Sequence, residues 1–472
     1  MKTLENLLLS ENDFAIATDL YELTMAAAYF NSKHTSRIIG VFEAFVRRLP
    51  KNRSYMVVAG LEQVISYILN LKFTEEHIKY LRSMKTFSNI GDDFFDYLRN
   101  FKFTGDVWAV PEGTILFPNE PIIRVEAPII EAQIIETYLL SIINFESLIA
   151  TKASRVVNAA KDRKVIEFGF RRAQGPQAAL LAARASFVGG CIGTSNTLAG
   201  LKLGIPTFGT MAHSFIMSFK HEIDAFKEFS KAFPDGLLLV DTYDTLAAVE
   251  KIVKYGIPTK GIRLDSGNLA ELSINARKIL DDAGYKDAII MASGDLNENI
   301  IKDLVERNAP IDIFGVGTEL VTSRDDPAMN GVYKLVAIKN IHFKNEEKPM
   351  AVIEYKLKTS LGKKTYPGPK QIYRITGKEK DKNGNREIIK TDIIALEDEQ
   401  DPDHSVPLMK KYINQGRLEC ELPSLNEIQK YHQDQMRTIP NEFKELSTII
   451  DKFPTVFSNR LEAITRQFII NE

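Results

Sequence analysis

The sequence predicts an irregular α/β barrel flanked by α+β N- and C-terminal domains. Short apolar runs between residues 164 and 317 end in polar or glycine-rich residues, and amphipathic helical stretches separate them. This alternation of strands and helices is typical of a parallel sheet with βα crossovers. A chain of 472 residues also exceeds the size of a single core. We therefore predict domains at 1–150, 151–340 and 341–472.

The N-terminal domain reads as mixed α and β structure. A helix is expected to begin at Asp19, with Asp19 as N-cap and Glu22 completing a capping box. Alternation predicts a strand at Ile38–Val46, and Trp108–Val125 contains further strand-like runs broken by prolines. Periodic apolar residues predict a long helix over Glu131–Ala160.

The central domain opens with the strand-like run Lys164–Phe168. The five strand-like runs that follow end in polar or glycine-rich residues at His213, Asp241–Asp244, Asp265–Gly267, Ser293–Asp295 and Gly315–Thr318. The carboxyl ends of barrel strands meet at one face, which is where barrel enzymes place their active sites. The sequence therefore predicts a site built from these segments.

The C-terminal domain changes pattern. Antiparallel strands are predicted at Lys334–Ile338, Ala351–Lys358 and Gln371–Thr376, and the alternating charges of Lys378–Arg386 predict a solvated surface loop. The stretch Leu422–Glu472 is predicted to be helical.

Composition excludes several classes of protein. The 60 basic and 62 acidic residues nearly balance, so bulk nucleic-acid binding is not expected. Two cysteines rule out a disulfide scaffold and fit a reducing compartment. Met1–Leu7 is soon followed by acidic residues, unlike a signal peptide, and we expect no apolar stretch of membrane-spanning length. A cytoplasmic protein that does not bind a membrane is predicted.

His213 is the first candidate catalytic residue. The chain has only seven histidines, and small residues before His213 would let a substrate approach the backbone. The alternative is a histidine that only caps a strand end.

Two glycine-containing turns are candidate phosphate sites. Gly315-Val316-Gly317-Thr318 offers accessible backbone N–H groups, and Ser293-Gly294-Asp295 follows the preceding strand. Paired phosphate loops after late strands recur in barrels. The alternative is a pair of tight βα turns.

Charged residues surround these turns. Asp241, Asp244 and Asp265 are candidate oxygen ligands for Mg²⁺, although Asp244 would also serve as a helix N-cap and Asp265 as a turn former. Arg263, in an apolar run, needs an anionic partner, either Asp241 or a ligand.

The end of the first barrel strand combines an aromatic ring with basic side chains. Phe168 is followed by Arg171 and Arg172, a combination that suits a flat anionic ring held near phosphates. The alternative is a core phenylalanine beside surface arginines.

Taken in order, these motifs resemble those of the nicotinate phosphoribosyltransferase family. The matching segments are Asp19–Met25, Phe168–Arg172, Gly209–Ser214, Val240–Asp244, Arg263–Gly267, Ser293–Leu296, Gly315–Thr318 and Lys363–Arg374. The resemblance covers most of the chain and implies a barrel of the type II phosphoribosyltransferase kind.

The resemblance also implies an activity. Family members transfer the phosphoribosyl group of phosphoribosyl pyrophosphate to nicotinate, giving nicotinate mononucleotide and pyrophosphate for NAD biosynthesis. The transfer is coupled to ATP hydrolysis through a phosphohistidine, which places these enzymes in the ligase class. A homodimer with shared active sites and a requirement for Mg²⁺ are expected.

The family's functional residues map onto this chain. His213 matches the phosphohistidine, Tyr21 and Phe168 match aromatics that hold the pyridine ring, and Tyr21 would come from the partner subunit. Thr210 and Arg263 match the nicotinate contacts. The candidate substrate-binding residues are Tyr21, Phe168, Arg171, Thr210, Arg263, Asp265, Ser266, Gly294, Gly315, Gly317 and Thr318, and the metal candidates are Asp241 and Asp265. The cysteine-rich zinc site of some members is excluded, because Cys420 is the only cysteine in that region.

Three alternatives stay open at this point. A nicotinamide phosphoribosyltransferase would share the fold and an arginine at position 263. A barrel isomerase or aldolase would need a lysine or glutamate at a strand end, yet Glu167 lies inside a strand and Lys260 at the start of one. A ligand-binding protein without activity would have no need of His213.

Overall fold

The computed structural model describes residues 9–32, 34–35, 38–342, 350–360, 365–381, 384–446, 450 and 452–470. Four sequence predictions therefore fall at least partly outside the described residues: Met1–Leu7, the start of the Lys363–Arg374 motif, the middle of Lys378–Arg386 and parts of Leu422–Glu472. The chain forms two compact units. The first consists of Met1–Ser147, Ala328–Phe443 and Ile449–Glu472, and the second of Leu148–Pro327 and Lys444–Thr448.

The helices and strands follow in chain order. The α-helices are α1 (Leu20–Asn31), α2 (Leu61–Asn70), α3 (Glu75–Ser83), α4 (Asp92–Arg99), α5 (Ile129–Ile134), α6 (Glu136–Ala160), α7 (Pro176–Val188), α8 (Thr197–Leu203), α9 (His213–Met217), α10 (Glu222–Ala232), α11 (Thr245–Lys254), α12 (Leu269–Asp282), α13 (Glu298–Glu306), α14 (Thr318–Val321), α15 (Leu425–Thr438), α16 (Asn441–Lys444) and α17 (Asn459–Ile470). The strands are β1 (Ile38–Val46), β2 (Met56–Val57), β3 (Asp106–Ala109), β4 (Ile115–Leu116), β5 (Pro121–Pro128), β6 (Lys164–Glu167), β7 (Gly193–Thr194), β8 (Leu237–Leu239), β9 (Gly261–Leu264), β10 (Ile289–Ala292), β11 (Ile313–Val316), β12 (Gly331–His342), β13 (Met350–Tyr355), β14 (Lys370–Asp381), β15 (Gly384–Leu396), β16 (Ser405–Pro407), β17 (Lys410–Asn414), β18 (Arg417–Leu418) and β19 (Thr455–Phe457). Short 3₁₀ turns occur at Glu11–Asp13, Lys85–Phe87 and Phe170–Arg172.

The first unit joins the two ends of the chain in one sheet. Its seven strands run in the order β13-β12-β1-β5-β3-β17-β18. The division therefore differs from the predicted three domains, because β1 is almost entirely buried and pairs with β5 on one side and with β12 on the other. A buried central strand needs hydrogen-bond partners on both edges. A four-stranded sheet, β16-β14-β15-β19, completes the C-terminal part of this unit.

The charged segment predicted as a surface loop is mostly strand. Lys378 pairs with Glu387 across the β14–β15 hairpin, so the loop prediction was wrong over its described residues. Cross-strand pairs of opposite charge stabilise such exposed ribbons, which explains why the charges alternate. In its described residues the C-terminal stretch contains the helices α15, α16 and α17, as predicted, but β19 interrupts them.

The start of α1 is placed correctly, but its predicted capping box is absent. Asp19 is the N-cap residue without a side-chain capping bond, and its carboxylate accepts a hydrogen bond from the Thr137 hydroxyl at 3.1 Å. Glu22 is buried and accepts a hydrogen bond from Gln133 at 2.6 Å. Burial raises the pKa of Glu22 to about 7. Glu22 therefore stabilises the packing within this unit and does not cap the N-terminus of α1.

The second unit contains the predicted irregular α/β barrel, which is confirmed. Six parallel strands run in the order β7-β6-β11-β10-β9-β8, and buried aliphatic residues pack between them and the helices. The run before His213 makes only an isolated bridge, between Thr194 and Thr207. That bridge, together with the unpredicted two-residue strand β7, makes the barrel irregular.

The stretch Ile129–Ala160 corrects one expectation. It is long and apolar enough to cross a membrane, although we expected no such stretch. Within its apolar window, 67% is buried inside the protein, as in the core helix of a globular domain. The predicted helix Glu131–Ala160 is divided into α5 and α6.

Candidate active site

A cavity of about 460 Å³ lies in the second unit, at the carboxyl ends of the parallel strands. Its lining consists of Phe168, Arg171, Arg172, Ser195, Gly209, Thr210, Met211, Ala212, His213, Leu239, Arg263, Asp265, Ser293, Gly294, Asp295, Gly315, Gly317 and Thr318. The strands are parallel, so the residues that follow them meet at the same edge of the sheet.

Most of the residues predicted from the sequence line this cavity. Four do not: Tyr21, Asp241, Asp244 and Ser266. Asp241 is buried and accepts hydrogen bonds from the Asp265 backbone and the Ser266 hydroxyl, whereas Ser266 itself is exposed. Tyr21 belongs to the other unit, on α1. The Tyr21 side chain is 48% exposed, so much of its ring is available for contacts outside that unit.

Arg263 is held in a fixed orientation by three neighbours. Its Nε donates to the Ser293 hydroxyl at 2.8 Å, one terminal nitrogen donates to the Thr210 hydroxyl at 3.0 Å, and the other donates to Asp265 Oδ1 at 2.6 Å. The partner is thus Asp265 and not Asp241. A guanidinium has five N–H donors, so these bonds leave two for a ligand. A planar fork with two donors suits a carboxylate.

Asp265 lies between Arg263 and His213. Its second oxygen is 3.9 Å from Nε2 of His213, while Nδ1 of His213 is 3.1 Å from the Thr242 hydroxyl. Burial raises the pKa of the Asp265 carboxyl, but the hydrogen bond from Ser293 and the charge of Arg263 outweigh it and lower the pKa below its usual value. Asp265 is therefore anionic at neutral pH, beside an imidazole with two distinct ring nitrogens.

Asp241 is hydrogen-bonded to the segment that carries Asp265. One carboxylate oxygen accepts hydrogen bonds from the Ser266 hydroxyl at 2.6 Å and from the Asp265 backbone at 3.1 Å. The other oxygen is buried without a hydrogen-bond partner among the described residues. In the described ranges, no group of three or more acidic, histidine or cysteine side chains could hold a metal. Two carboxylates without a complete cage fit Mg²⁺, which usually arrives carrying substrate phosphates.

Phe168 forms the aromatic wall. The guanidinium of Arg263 lies 5.7 Å from the centre of its ring. A Cβ added at Gly315 would come within 2.8 Å of the ring, so glycine leaves the space that the ring occupies. The exposed Arg171 and Arg172 stand on the 3₁₀ turn that follows. A planar anionic ligand would meet an aromatic face and a guanidinium together.

The two predicted phosphate turns both reach the cavity. Gly294 and Asp295 follow β10, and Gly317 and Thr318 follow β11. Gly294 has a φ of +88°, and a Cβ there would lie 1.9 Å from the carbonyl oxygen of Asp265. Glycine is therefore required at this position for both conformation and space.

Replacing Gly294 with alanine should impair turnover more than stability. The added Cβ would push the turn away from Asp265, and displacing a site by about 1 Å can cost up to roughly 100-fold in rate. We expect kcat/KM for the reaction that this cavity catalyses to fall roughly 10- to 100-fold. Gly284→Ala is the matched control: its φ is +85°, but no heavy atom of the described residues lies near its added Cβ. Equal kcat/KM values for the two variants would contradict a role for the close approach at Gly294.

Some site residues escaped the sequence analysis. Thr242, which contacts His213, lies in the Val240–Asp244 motif but was not proposed as a site residue. The strand-end rule, by which residues at the carboxyl ends of parallel strands line the site, would have identified it after β8. Ser195 follows β7, a strand too short to recognise from its pattern. Asp244, a candidate metal ligand or helix N-cap, is the N-cap of α11: its carboxylate accepts a hydrogen bond from the Ala247 backbone at 2.8 Å.

The residues that line the cavity also bear on the alternative of a barrel aldolase or isomerase. They include neither lysine nor glutamate among the described residues. Glu167 is the last residue of β6, so the expectation that it lies inside a strand was wrong, but its side chain is buried and does not line the cavity. Lys260 is exposed ahead of β9. A barrel aldolase or isomerase that relies on such a residue has no candidate here.

Two family models match the chain. Residues 16–144 match the N-terminal domain of nicotinate phosphoribosyltransferase, and residues 149–325 match the C-terminal domain of quinolinate phosphoribosyl transferase. The second match covers the barrel unit with the cavity. The chain thus has the type II phosphoribosyltransferase fold.

Individual relatives agree with these models. A nicotinate phosphoribosyltransferase of Mycobacterium tuberculosis is 41% identical, covering 95% of this chain and 92% of the relative. That of Bacillus subtilis is 39% identical, covering 96% of each. The human nicotinic acid phosphoribosyltransferase structure superposes with a TM-score of 0.79 at 26% identity, covering 95% of this chain and 99% of the human chain. The chain belongs to the nicotinate phosphoribosyltransferase family.

Proposed function

We propose that the cavity binds nicotinate and phosphoribosyl pyrophosphate and joins them, with ATP hydrolysis driving the reaction through a phosphate on His213. The observation that carries the proposal is the combination of Phe168, a guanidinium with two remaining donors on Arg263, and two glycine turns in one cavity. Such a site offers a ring surface, a carboxylate partner and phosphate-binding backbone within one volume.

Each substrate has a place in this arrangement. The pyridine ring would lie on Phe168 with its carboxylate on Arg263, and Thr210 would fix the guanidinium from the other side. The 5-phosphate and pyrophosphate would take the turns at Gly294 and Gly317, together with the exposed arginine Arg171. Backbone N–H groups and guanidinium donors are the usual partners of phosphate oxygens.

The transfer requires charge stabilisation. The C1–O bond to pyrophosphate breaks and the pyridine nitrogen bonds to C1, so positive charge develops on the ribosyl ring while pyrophosphate departs as an anion. The anionic Asp265 would stabilise the ribosyl cation, and Arg171 and Arg172 the leaving group. Asp241 and Asp265 would hold Mg²⁺, which neutralises pyrophosphate charge when bound.

ATP coupling would pass through His213. A ring nitrogen of His213 attacks the γ-phosphorus of ATP, the bond to the β-phosphate oxygen breaks, ADP departs and the ring loses its proton. Hydrolysis of the phosphohistidine then releases phosphate. Thr242 and Asp265, on opposite sides of the imidazole, would fix its orientation. Such coupling would place the enzyme in the ATP-dependent ligase class.

Product analysis tests the proposed reaction. Enzyme is incubated with phosphoribosyl pyrophosphate and either nicotinate or nicotinamide, with and without ATP and Mg²⁺. We expect nicotinate mononucleotide and pyrophosphate, faster with ATP and lost when Mg²⁺ is chelated. A preference for nicotinamide would assign the chain to the related amide-specific reaction, and absence of both products would overturn the proposal.

We also propose that the protein is a homodimer in which Tyr21 of one subunit completes the pyridine site of the other. We further propose that it resides in the cytoplasm. The half-exposed ring of Tyr21 supports the shared site, and the two cysteines, which form no disulfide, fit a reducing compartment. Isologous symmetry would give two shared sites per dimer.

Mixed dimers test the shared site. Tyr21→Ala and His213→Ala homodimers should each lack the ATP-stimulated activity of the wild type, which is the activity measured in this test. Heterodimers formed by subunit exchange contain one site with both wild-type residues and should recover up to about half of wild-type activity per dimer. Heterodimers confirmed by mass but lacking activity would show that Tyr21 serves its own subunit.

A further inference from the structure

Glu167 is a buried carboxylate that the proposed reaction does not use. It is the last residue of β6, the residue is 1% exposed, and it does not itself line the cavity. Burial raises the pKa of its carboxyl. Buried carboxylates are costly unless their oxygens are satisfied, so the contacts of this one need an explanation.

Both oxygens of Glu167 hold segments that begin at the cavity edge. Oε1 accepts a short hydrogen bond from the Gly169 backbone, and Oε2 accepts one from the Thr194 hydroxyl at 2.5 Å. The same hydroxyl accepts from the Asn196 backbone at 2.9 Å. Glu167 thus connects the segment after β6 with the segment after β7, two neighbouring parallel strands.

Each of these segments carries lining side chains. Gly169 lies next to Phe168, and its carbonyl accepts from the Arg172 backbone at 2.8 Å, which starts the 3₁₀ turn that bears Arg171. On the other segment, Ser195 stands between Thr194 and Asn196. The turn at Gly169 is tight, because a Cβ there would lie 2.3 Å from a methyl group of Val321.

We propose that Glu167 is a positioning residue, which sets the placement of Phe168, Arg171 and Ser195 through its two hydrogen bonds and thereby the affinity of the cavity for nicotinate. This inference rests on the proposed function, because it concerns the same site. What matters is the pair of hydrogen bonds and not the negative charge, since Glu167 has no cationic partner among the described residues.

If the two hydrogen bonds of Glu167 position the cavity wall, two substitutions of similar size should have different effects. In Glu167→Gln, the amide oxygen can still accept from Gly169, and the amide nitrogen can donate to the Thr194 oxygen. In Glu167→Leu, both bonds are lost and the Gly169 N–H is left buried without an acceptor. The glutamine variant should therefore rescue what the leucine variant loses.

The test is the equilibrium dissociation constant for nicotinate, measured by calorimetry, with KM and kcat alongside. We expect Glu167→Leu to weaken nicotinate binding about tenfold or more, since a displaced wall removes ring contacts, and Glu167→Gln to stay within about twofold. Glu298→Leu is the matched control: Glu298 is equally buried in the same unit but pairs with Lys152, and it does not line the cavity. It should lower thermal stability while leaving nicotinate affinity unchanged.

Several outcomes would overturn the inference. A folded Glu167→Leu protein with wild-type nicotinate affinity would do so, as would equal losses in the leucine and glutamine variants. If Glu167→Leu does not fold, Thr194→Val removes one of the two bonds and must still weaken nicotinate binding. Wild-type enzyme that makes no nicotinate mononucleotide would refute the proposed function itself, whereas active enzyme with insensitive variants would refute only the role of Glu167.

Discussion

His213→Ala should lose both its phosphorylation and its response to ATP. Wild-type protein incubated with ATP is expected to acquire a phosphate that is labile in acid and stable in base, and ATP should accelerate nicotinate mononucleotide formation. In the variant no ring nitrogen is present beside Thr242 and Asp265. The ratio of rates with and without ATP should therefore fall to about one, because no covalent intermediate can couple the two reactions.

The control for this prediction is a second histidine of the same unit. His221 precedes α10, is exposed and does not line the cavity. His221→Ala should retain both the phosphate and the stimulation. Peptide mapping locates the phosphate, and full ATP stimulation in His213→Ala would remove this residue from the coupling.

Arg263→Ala should raise the Michaelis constant for nicotinate strongly. The guanidinium is mostly buried, and its loss removes the carboxylate partner while leaving Asp265 without its cation. Truncating one member of a buried charged pair typically costs roughly 2–5 kcal/mol, or about 30- to 5,000-fold in affinity. We expect an increase in KM within this range.

Arg277→Ala is the matched control for Arg263→Ala. Its side chain is similarly shielded, at 19% exposed against 14% for Arg263, but it donates to the carbonyls of Ala288 and Tyr285 instead of lining the cavity. It should lower stability without changing KM. Steady-state kinetics on folded protein decide the matter, and an unchanged KM in Arg263→Ala would exclude a contact with nicotinate.

The strand-end rule explains why so much of the site was predictable. In a parallel sheet every strand delivers its carboxyl end to the same edge, so Arg263, Gly294 and Gly317 converge whatever the details of the loops. The run before His213 was harder, because it forms only an isolated bridge, yet its small residues and imidazole still marked it.

Other features depend on contacts that local sequence does not encode. The pairing of β1 with β12 joins residues some 290 positions apart, so the union of the two chain ends in one unit was not foreseen. Glu22 matched a capping box by spacing, but its partner Gln133 lies on α5. Of the two predicted partners of Arg263, Asp241 was wrong, because Asp241 and Asp265 are both at the sheet edge and only side-chain direction separates them. The ligand stays a prediction.

A crystal structure of the enzyme with nicotinate bound tests the central claim most directly. We expect the pyridine ring on Phe168, with its carboxylate accepting two hydrogen bonds from Arg263, in the cavity of the barrel unit. Tyr21 of a second subunit should close the other face of the ring. Nicotinate bound elsewhere on the protein, with this cavity unoccupied at saturating concentration, would contradict the account.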